Sequence, residues 1–311
     1  MDRYPDLNPL LGKMLDNLQG QPPLHSLPVP EARAVIARRF APLLQAFRPR
    51  CRHVDLDIPG PGGALPLRLV RPEGDGVLPV ILFLHGGGWA LGDLDIYHPL
   101  ADALAFASGA AVLMVGYRLA PEHPFPAALE DAQAVLDWLW PHAEDHGLDA
   151  SRLAVAGDSA GGNLAAVLAR GCRDRGGPPL RAQYLAYPVI DLPDPTRHLS
   201  YAEVGDGYGL SRGEMAYFWS LYAGKAQPGP DLLPLLAPLE RLPPALVHTA
   251  HFDILRSEAE AYAIALETAG VPTHYRCWPG MTHGFLSLSG LLEEADTALA
   301  QAGAWLAGQL T

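Results

Sequence analysis

Apolar and polar positions divide most of the chain into short strand-like runs and longer amphipathic stretches. After the first two runs, most runs of Val, Ile, Leu and Ala lead into a segment with apolar residues at helical spacing. The runs predict strands at residues 54–58, 65–70, 80–84, 111–117, 153–157, 182–187, 245–250 and 275–278. The longer stretches predict helices at residues 100–108, 127–140, 161–175, 258–269 and 291–309.

The character of these runs predicts how the strands are arranged. The later runs are continuously apolar rather than alternating, which is typical of strands covered on both faces. Strands that alternate with helices form a parallel sheet between helical layers, whereas the first two strands have no helix between them. The sequence therefore predicts an α/β fold with an eight-stranded, mostly parallel sheet flanked by helices and an antiparallel start.

Two segments fall outside this pattern. The chain before residue 50 contains an amphipathic helical stretch at 31–47, which we expect to be interrupted near Pro42 because proline lacks an amide hydrogen. Residues 189–242 are rich in Pro, Gly and aromatic residues, and Ser211 with Glu214 three positions later predicts a capped helix start. We expect four regions, 1–50, 51–188, 189–242 and 243–311, of which the second and fourth form the core.

Composition and charge narrow the possible functions. The 311 residues are 49% hydrophobic and 18% charged, which suits one large α/β domain with an insertion. The net charge of −12 argues against a nucleic acid partner, because phosphate contact needs a basic surface. The first residues lack the positive charge and apolar run of a signal peptide or membrane anchor, so we expect a cytoplasmic protein without an anchor.

Cysteines and carboxylates give no sign of a metal or a disulfide framework. Cys51, Cys172 and Cys277 are odd in number and have no CxxC spacing, so we expect structural thiols. Carboxylates that stand out in the sequence, such as Asp93 and Asp131, have no ligand-like partners at close spacing. We expect neither a metal nor another cofactor.

A G-x-S-x-G pattern lies between a predicted strand and a predicted helix. Residues 157–161 read GDSAG, which is the pattern of a nucleophile elbow that presents Ser159 above the strand ends. The amides that open the following helix and the positive end of its dipole would favour an oxyanion there. The pattern alone is weak, since Gly/Ser turns between strands and helices are common in α/β proteins.

A second glycine-rich loop strengthens this hypothesis. Residues 85–89 read HGGGW and follow a buried strand pattern. An oxyanion hole needs backbone N–H donors about 3 Å from the developing charge, and glycine lets the backbone approach that closely. We predict two donors from Gly86, Gly87 and Gly88, joined by the amide of Ala160, and the sequence leaves open which two. The alternative is a merely flexible loop.

A serine nucleophile needs a base and an orienting carboxylate. In hydrolases of this kind the chain order is Ser, then Asp or Glu, then His. Asp253 follows one predicted strand, and His283 lies in a glycine-rich turn after the last one. Both positions fall on the same rim as Ser159, which distinguishes His283 among the 12 histidines of the chain.

Together these motifs carry a family resemblance. The segments HGGGW, YRLAPEHPFP, GDSAGG, FDILR and HGF resemble the bacterial hormone-sensitive-lipase-like esterases, family IV, over nearly the whole chain. The resemblance implies the α/β-hydrolase fold, with Ser159 as nucleophile, Asp253 as the acid and His283 as the base. It further implies that residues 1–50 and 189–242 form a helical cap. Edge strands often pair in that family, which leaves the formation of a homodimer open.

The resemblance implies a serine carboxylic ester hydrolase acting on small esters with short- to medium-chain acyl groups through an acyl-enzyme. Apolar residues beneath the cap would line the pocket, although each could simply hold the cap to the core. The candidates are Trp89, Tyr187, Tyr208, Met215, Phe218, Trp219 and Phe285. One segment departs from the family: Ser257 replaces an aspartate and His251 stands where a small or acidic residue is common, which can shift the pH profile.

Other polar residues are expected to be structural. Asp158 should cap or bind the backbone of the elbow, and His85 should hold the glycine loop by a side-chain hydrogen bond. Arg118 and Glu122, in a proline-rich segment, should form a buried pair.

Three alternative functions stay open at this stage. The same triad could hydrolyse amides, carbamates or lactones. The chain could also be a binding protein on a hydrolase scaffold that has lost activity. A peptidase is disfavoured because its substrates would have to pass beneath the cap.

Overall fold

A single eight-stranded sheet forms the centre of the computed structural model, which describes residues 4, 6–74 and 76–311. The strands lie in the order β1-β2-β4-β3-β5-β6-β7-β8. Their bounds are β1 Arg52–Gly60, β2 Gly63–Arg71, β3 Leu78–Leu84, β4 Ala111–Val115, β5 Leu148–Asp158, β6 Leu180–Ala186, β7 Ala245–Phe252 and β8 Thr273–Thr282. β2 pairs antiparallel with β1 and β4, and every other pairing is parallel, so the predicted fold is confirmed.

Helices cover the sheet on both faces. The α-helices of the described residues are α1 Pro9–Leu18, α2 Val29–Ala46, α3 Leu94–Ser108, α4 Ala127–His142, α5 Ala160–Arg175, α6 Ser200–Glu203, α7 Arg212–Tyr222, α8 Arg256–Thr268 and α9 Glu293–Gln309. Alternate residues of β3 belong to different apolar clusters: Leu82 is in the cluster that includes residues of α4, α5 and α8, whereas Phe83 is in the one that includes residues of α3 and α9. This two-sided burial explains why the central strands are continuously apolar.

Two elements differ from the sequence prediction at proline. α2 is continuous through Pro42, because Pro42 and Arg38 are both exposed and water can reach the carbonyl that proline leaves without a donor. β8 runs on through Pro279 to Thr282, although residues 279–282 were predicted to be loop. β8 is an edge strand with a neighbouring strand on one side only. The amide hydrogen that proline lacks therefore need not remove a hydrogen bond between strands.

Two regions of the chain lie over the carboxyl ends of the strands. α1 and α2 precede the sheet, and α6 and α7 lie in the insertion between β6 and β7. The regions contact each other, since the Tyr217 hydroxyl on α7 donates to the carbonyl of Leu27 at 3.0 Å. Arg33 on α2 donates to the carbonyls of Ala90 and Ala120, which fixes the first region to the core loops.

None of the helices in the described residues is both long and apolar enough to cross a membrane. Nor do the residues that the structure describes include three or more His, Cys, Asp or Glu side chains grouped to hold a metal ion.

Candidate active site

The turn between β5 and α5 holds Ser159 in a strained conformation. Ser159 has φ 55° and ψ −120°, which side-chain-bearing residues rarely adopt. The turn closes only with glycine on either side. A Cβ on Gly157 would lie 2.2 Å from the carbonyl oxygen of Gly161, and a Cβ on Gly161 would lie 2.0 Å from that of Leu84. Steric fit therefore dictates the elbow, as the GDSAG pattern predicted.

Three side chains far apart in sequence meet at this turn. The Ser159 hydroxyl lies 2.9 Å from Nε2 of His283, and Nδ1 of His283 lies 2.8 Å from Oδ2 of Asp253. Asp253 follows β7 and His283 follows β8, so the parallel strand order places them on one rim. Asp253 is buried and its Oδ1 accepts the amide of Leu255, which fixes the carboxylate. The structure thus brings together all three residues that the sequence singled out.

The electrostatics of the group favour a protonated imidazole. Burial lowers the pKa of His283, but the charge and hydrogen bond of Asp253 outweigh it, so the pKa lies above the ordinary 6.5. The charges of Asp158 and Glu214 add to the rise. His283 can therefore accept a proton from Ser159 and hold it while Asp253 stabilises the cation.

Two of the three candidate donors in the glycine loop, the amides of Gly87 and Gly88, are available for an oxyanion. The amide of Gly86 already donates to Oδ1 of Asp158 at 2.7 Å, so including Gly86 among the candidate donors was wrong. The amides of Gly87, Gly88 and Ala160 have no acceptor among the described residues. Gly87 and Gly88 have φ 102° and 60°, and a Cβ on Gly88 would lie 2.3 Å from the ring of Phe218.

Asp158 serves the glycine loop rather than the elbow. It was expected to cap or bind the elbow's own backbone, but its carboxylate accepts the amide of Gly86. Burial raises the pKa of Asp158 to about 7, although the Gly86 amide and the charge of His283 act in the opposite direction. The bond joins the ends of β5 and β3, so it sets the distance between Ser159 and the loop.

His85 also holds the glycine loop in place. Its Nδ1 donates to the carbonyl of Gly86 at 2.7 Å, which is the hydrogen bond predicted from the sequence. The ring stacks between Tyr97 and Tyr117 with centroid distances of 5.1 and 4.3 Å. Burial lowers the pKa of His85 to about 4, so the ring stays neutral and serves as a structural donor.

A cavity of about 460 Å³ opens at Ser159 and His283. Three of the predicted pocket residues line it: Trp89, Met215 and Phe218. The walls come mainly from α1, α2, α7 and the loops after β3 and β8, so the cavity lies between the core and the two regions above it.

The other four predicted pocket residues do not line the cavity. Tyr187 is buried behind His283, with its ring edge-on at 4.9 Å, and Phe285 lies behind Tyr187 at 5.8 Å. Trp219 packs on Trp89 at 5.0 Å, and Tyr208 stacks on Phe252 at 4.9 Å. These aromatic residues join neighbouring segments to one another, because their rings are covered by other rings.

Sequence reasoning missed one wall of the cavity. Four residues of α1 line it at the spacing of one helix face: Leu11, Met14, Leu15 and Leu18. The signal was present, because Asn8 accepts the amide of Leu10 as an N-cap and Pro9 occupies the first helical position. From α2, Ile36, Arg39 and Phe40 complete this wall.

Arg118 and Glu122 do not pair with each other, so the expected buried pair was wrong. Arg118 binds the buried Asp131 at 2.9 Å, whereas Glu122 binds Arg33 of α2 at 2.7 Å with both side chains partly exposed. Only Leu119, Ala120 and Pro121 lie between them, yet each charge finds its partner on a helix. Glu122 thereby joins the core to the chain before the sheet.

The segment that departs from the family is held by α6. Ser200 and Ser257 form reciprocal hydrogen bonds from amide to hydroxyl at 3.0 and 3.1 Å. The Ser200 hydroxyl donates in turn to the carbonyl of Ile254 at 2.5 Å, next to Asp253. His251 stacks on Phe252 at 4.8 Å and lies outside the triad.

The three cysteines are free. Burial raises the pKa of Cys51 to about 12 and that of Cys172 to about 11, so neither thiol ionises at neutral pH.

Comparison with known proteins places this geometry in a family. A family model described as alpha/beta hydrolase fold matches residues 81–287, about two thirds of the chain. The chain belongs to this alpha/beta hydrolase family. The match confirms the resemblance drawn from the motifs, since it spans the glycine loop, the elbow and the segments that carry Asp253 and His283.

Relatives of this hydrolase with similar sequences are named as esterases. Esterase LipI of Mycobacterium tuberculosis is 37% identical over 96% of this chain and 93% of its own length. The carboxylic ester hydrolase LipN of the same organism is 45% identical over 75% of this chain, and the match spans 64% of LipN. The crystal structure of a thermostable esterase from Pseudomonas putida superposes with a TM-score of 0.92 at 36% identity, covering 99% of this chain and 98% of that one.

Proposed function

We propose that this hydrolase is a serine carboxylic ester hydrolase. The observation that carries the proposal is the hydrogen-bonded series Ser159–His283–Asp253 at 2.9 and 2.8 Å, together with three nearby amides that have no acceptor in the part of the chain that the structure describes. The relatives named as esterases support the same activity. An amide, carbamate or lactone hydrolase would need the same triad, but no contact in the cavity favours those acyl groups over esters.

The first half-reaction forms an acyl-enzyme. His283 takes the proton of Ser159 as Oγ bonds to the ester carbonyl carbon, and the carbonyl oxygen becomes an oxyanion. The amides of Gly87, Gly88 and Ala160 donate to that oxyanion, while Asp253 stabilises the imidazolium. The carbon–oxygen bond to the alcohol then breaks, and His283 gives its proton to the leaving alkoxide.

The second half-reaction releases the acid. Water loses a proton to His283 as its oxygen bonds to the acyl carbon, and the same amides donate hydrogen bonds to the second oxyanion. Collapse breaks the bond to Ser159 Oγ, which regains the proton from His283. The carboxylic acid leaves and the triad returns to its starting state.

The two regions over the strand ends act as a cap in this proposal. Residues before 50 and residues 189–242 supply most of the residues that line the cavity, and the core supplies the others. A cavity of about 460 Å³ suits a small ester with a short- to medium-chain acyl group. β8, at the edge of the sheet, is the strand through which the expected homodimer would pair.

The acyl-chain profile tests this proposal. We expect hydrolysis of p-nitrophenyl esters from acetate to laurate to peak at a short or medium chain and to vanish in Ser159→Ala. Ser151→Ala should retain activity, because Ser151 is exposed near the opposite end of β5. Turnover that survives Ser159→Ala would contradict the proposal, as would a preference for long-chain emulsions. A wild type inactive on all esters but able to bind them would instead support the binding-protein alternative.

The pH profile provides an independent prediction. Because His283 must be neutral to act as base and its pKa is raised, kcat/KM should fall as pH falls through a value above 6.5. The exposed His142 on α4 lies outside the cavity, so His142→Gln should leave this limb unchanged. An acid limb with its midpoint below 6.5 would show that His283 does not titrate as its surroundings require.

A further inference from the structure

Two charged residues of the cavity neither bond to the substrate nor transfer a proton in the proposed reaction. Apart from Asp158 and His283, the charged residues among the described lining are Arg39 of α2 and Glu214 of α7. The rest of the lining is largely apolar, with Met215 and Phe218 beside Glu214 on α7. A carboxylate here lies in the space that a substrate must occupy.

Glu214 is fixed in position by the start of its own helix. Its Oε2 accepts both the amide and the hydroxyl of Ser211 at 2.9 Å, and the Ser211 hydroxyl accepts the amide of Glu214 at 3.2 Å. This is the capping box that the sequence predicted, and it prevents the carboxylate from swinging into solvent. Oε1 has no donor among the described residues, so it is available to the cavity.

The charged and titratable groups near Glu214 come from several elements. Arg39 on α2 is exposed and reaches Gln21 at 3.5 Å, and the described residues give it no ion pair. His283 and Asp158 lie on the core side, and the ring of His25 packs against Gly213. Burial lowers the pKa of Arg39, while Glu214 acts in the opposite direction. The charge of Glu214 thus raises the pKa values of both Arg39 and His283.

We propose that Glu214 sets the charge selectivity of this esterase, a role that rests on the proposed ester hydrolysis. Esters whose acyl chain ends in a carboxylate are disfavoured relative to those ending in an ammonium group. A fixed charge repels a like charge most strongly where water is partly excluded. Arg39 opposes Glu214, but its side chain is the more exposed of the two, whereas Glu214 is half-buried and held by two hydrogen bonds.

Three ethyl esters of equal acyl length test the inference: ethyl hexanoate is neutral, monoethyl adipate carries a carboxylate, and ethyl 6-aminohexanoate carries an ammonium group. The measured quantity is the ratio of kcat/KM for the anionic ester to that for the cationic one. We expect Glu214→Gln to raise this ratio roughly tenfold and Arg39→Gln to lower it, since each leaves the other charge unopposed. Glutamine also completes a capping box, so α7 should keep its start.

The control variant is Glu31→Gln, which removes one negative charge from an exposed site on α2 that does not line the cavity. It should leave the ratio unchanged. Should Glu214→Gln fail to fold, the salt dependence of the wild type serves instead. Raising the salt concentration should weaken discrimination between the charged esters, because mobile ions screen Glu214.

The outcomes separate this inference from the proposed function. A wild type that hydrolyses ethyl hexanoate, together with a ratio that Glu214→Gln and salt leave unchanged, overturns the role of Glu214 and leaves ester hydrolysis intact. A wild type inactive on all three esters overturns both. Opposite shifts in Glu214→Gln and Arg39→Gln, with no shift in Glu31→Gln, support the inference.

Discussion

The variants Ser159→Ala and His283→Ala are each expected to lose roughly 10⁴- to 10⁶-fold in kcat. Ser159 supplies the only atom of the triad that bonds to the acyl carbon in the proposed reaction. His283 supplies the base, and without it the hydroxyl keeps its proton at neutral pH. The two side chains are joined at 2.9 Å, so they act as one unit.

The double variant distinguishes a triad from two independent effects. Ser159→Ala/His283→Ala should be about as slow as either single variant, because removing a second member of one unit costs little more. The measurement is kcat on p-nitrophenyl butyrate, with melting temperatures to show that each variant folds. His283→Ala leaves the carboxylate of Asp253 buried without its partner, so some loss of stability is expected. Multiplicative losses in the double variant would mean that the two residues act separately.

Gly87→Ala is expected to lower kcat roughly 10²- to 10³-fold, the cost of losing one oxyanion donor. Gly87 has φ 102°, and a Cβ there would lie 2.2 Å from the carbonyl oxygen of Leu91. Backbone cannot yield as a flexible side chain can, so the loop must shift and carry the Gly87 amide away from Ser159. KM for a short ester should change less than kcat, because the amide acts mainly on the transition state.

Gly270→Ala is the matched control for backbone strain. Gly270 also has positive φ, 78°, but a Cβ there meets nothing within 4 Å, and it lies outside the cavity after α8. This variant should lose about 1 kcal/mol of unfolding free energy and keep its kcat. Equal losses of kcat in both variants would assign the effect of Gly87→Ala to general destabilisation rather than to the oxyanion donor.

The candidate triad was predictable because its signals are local. A contact inside the GDSAG turn, between Gly157 and the carbonyl of Gly161, requires glycine, and Asp253 and His283 each follow an apolar run that forms a strand. Parallel strands bring their carboxyl ends to one edge, so strand order alone places these residues on the same rim. The strand ends were less predictable, as Pro279 shows, because an edge position tolerates a proline that a central strand would not.

The charged pairs were not predictable, because their partners come from other parts of the chain. Arg118 and Glu122 are neighbours in sequence, yet their partners Asp131 and Arg33 come from different helices. Similarly, Tyr187 and Phe218 are both aromatic and were both predicted to line the pocket, but only Phe218 lines the cavity. Composition identifies an apolar side chain without saying which other side chain will cover it.

By itself, the sequence determined the alternation of strands and helices, the strained elbow at Ser159 and the chain order of the triad, because periodicity and glycine sterics act over short distances. Only the tertiary structure decided which loop amides are free, since Asp158 lies 72 residues from the Gly86 amide that it occupies. It also decided that α1 forms a wall of the cavity and that Glu214 lines the same cavity as His283. Such contacts depend on segments that meet only when the sheet and the regions above it have assembled.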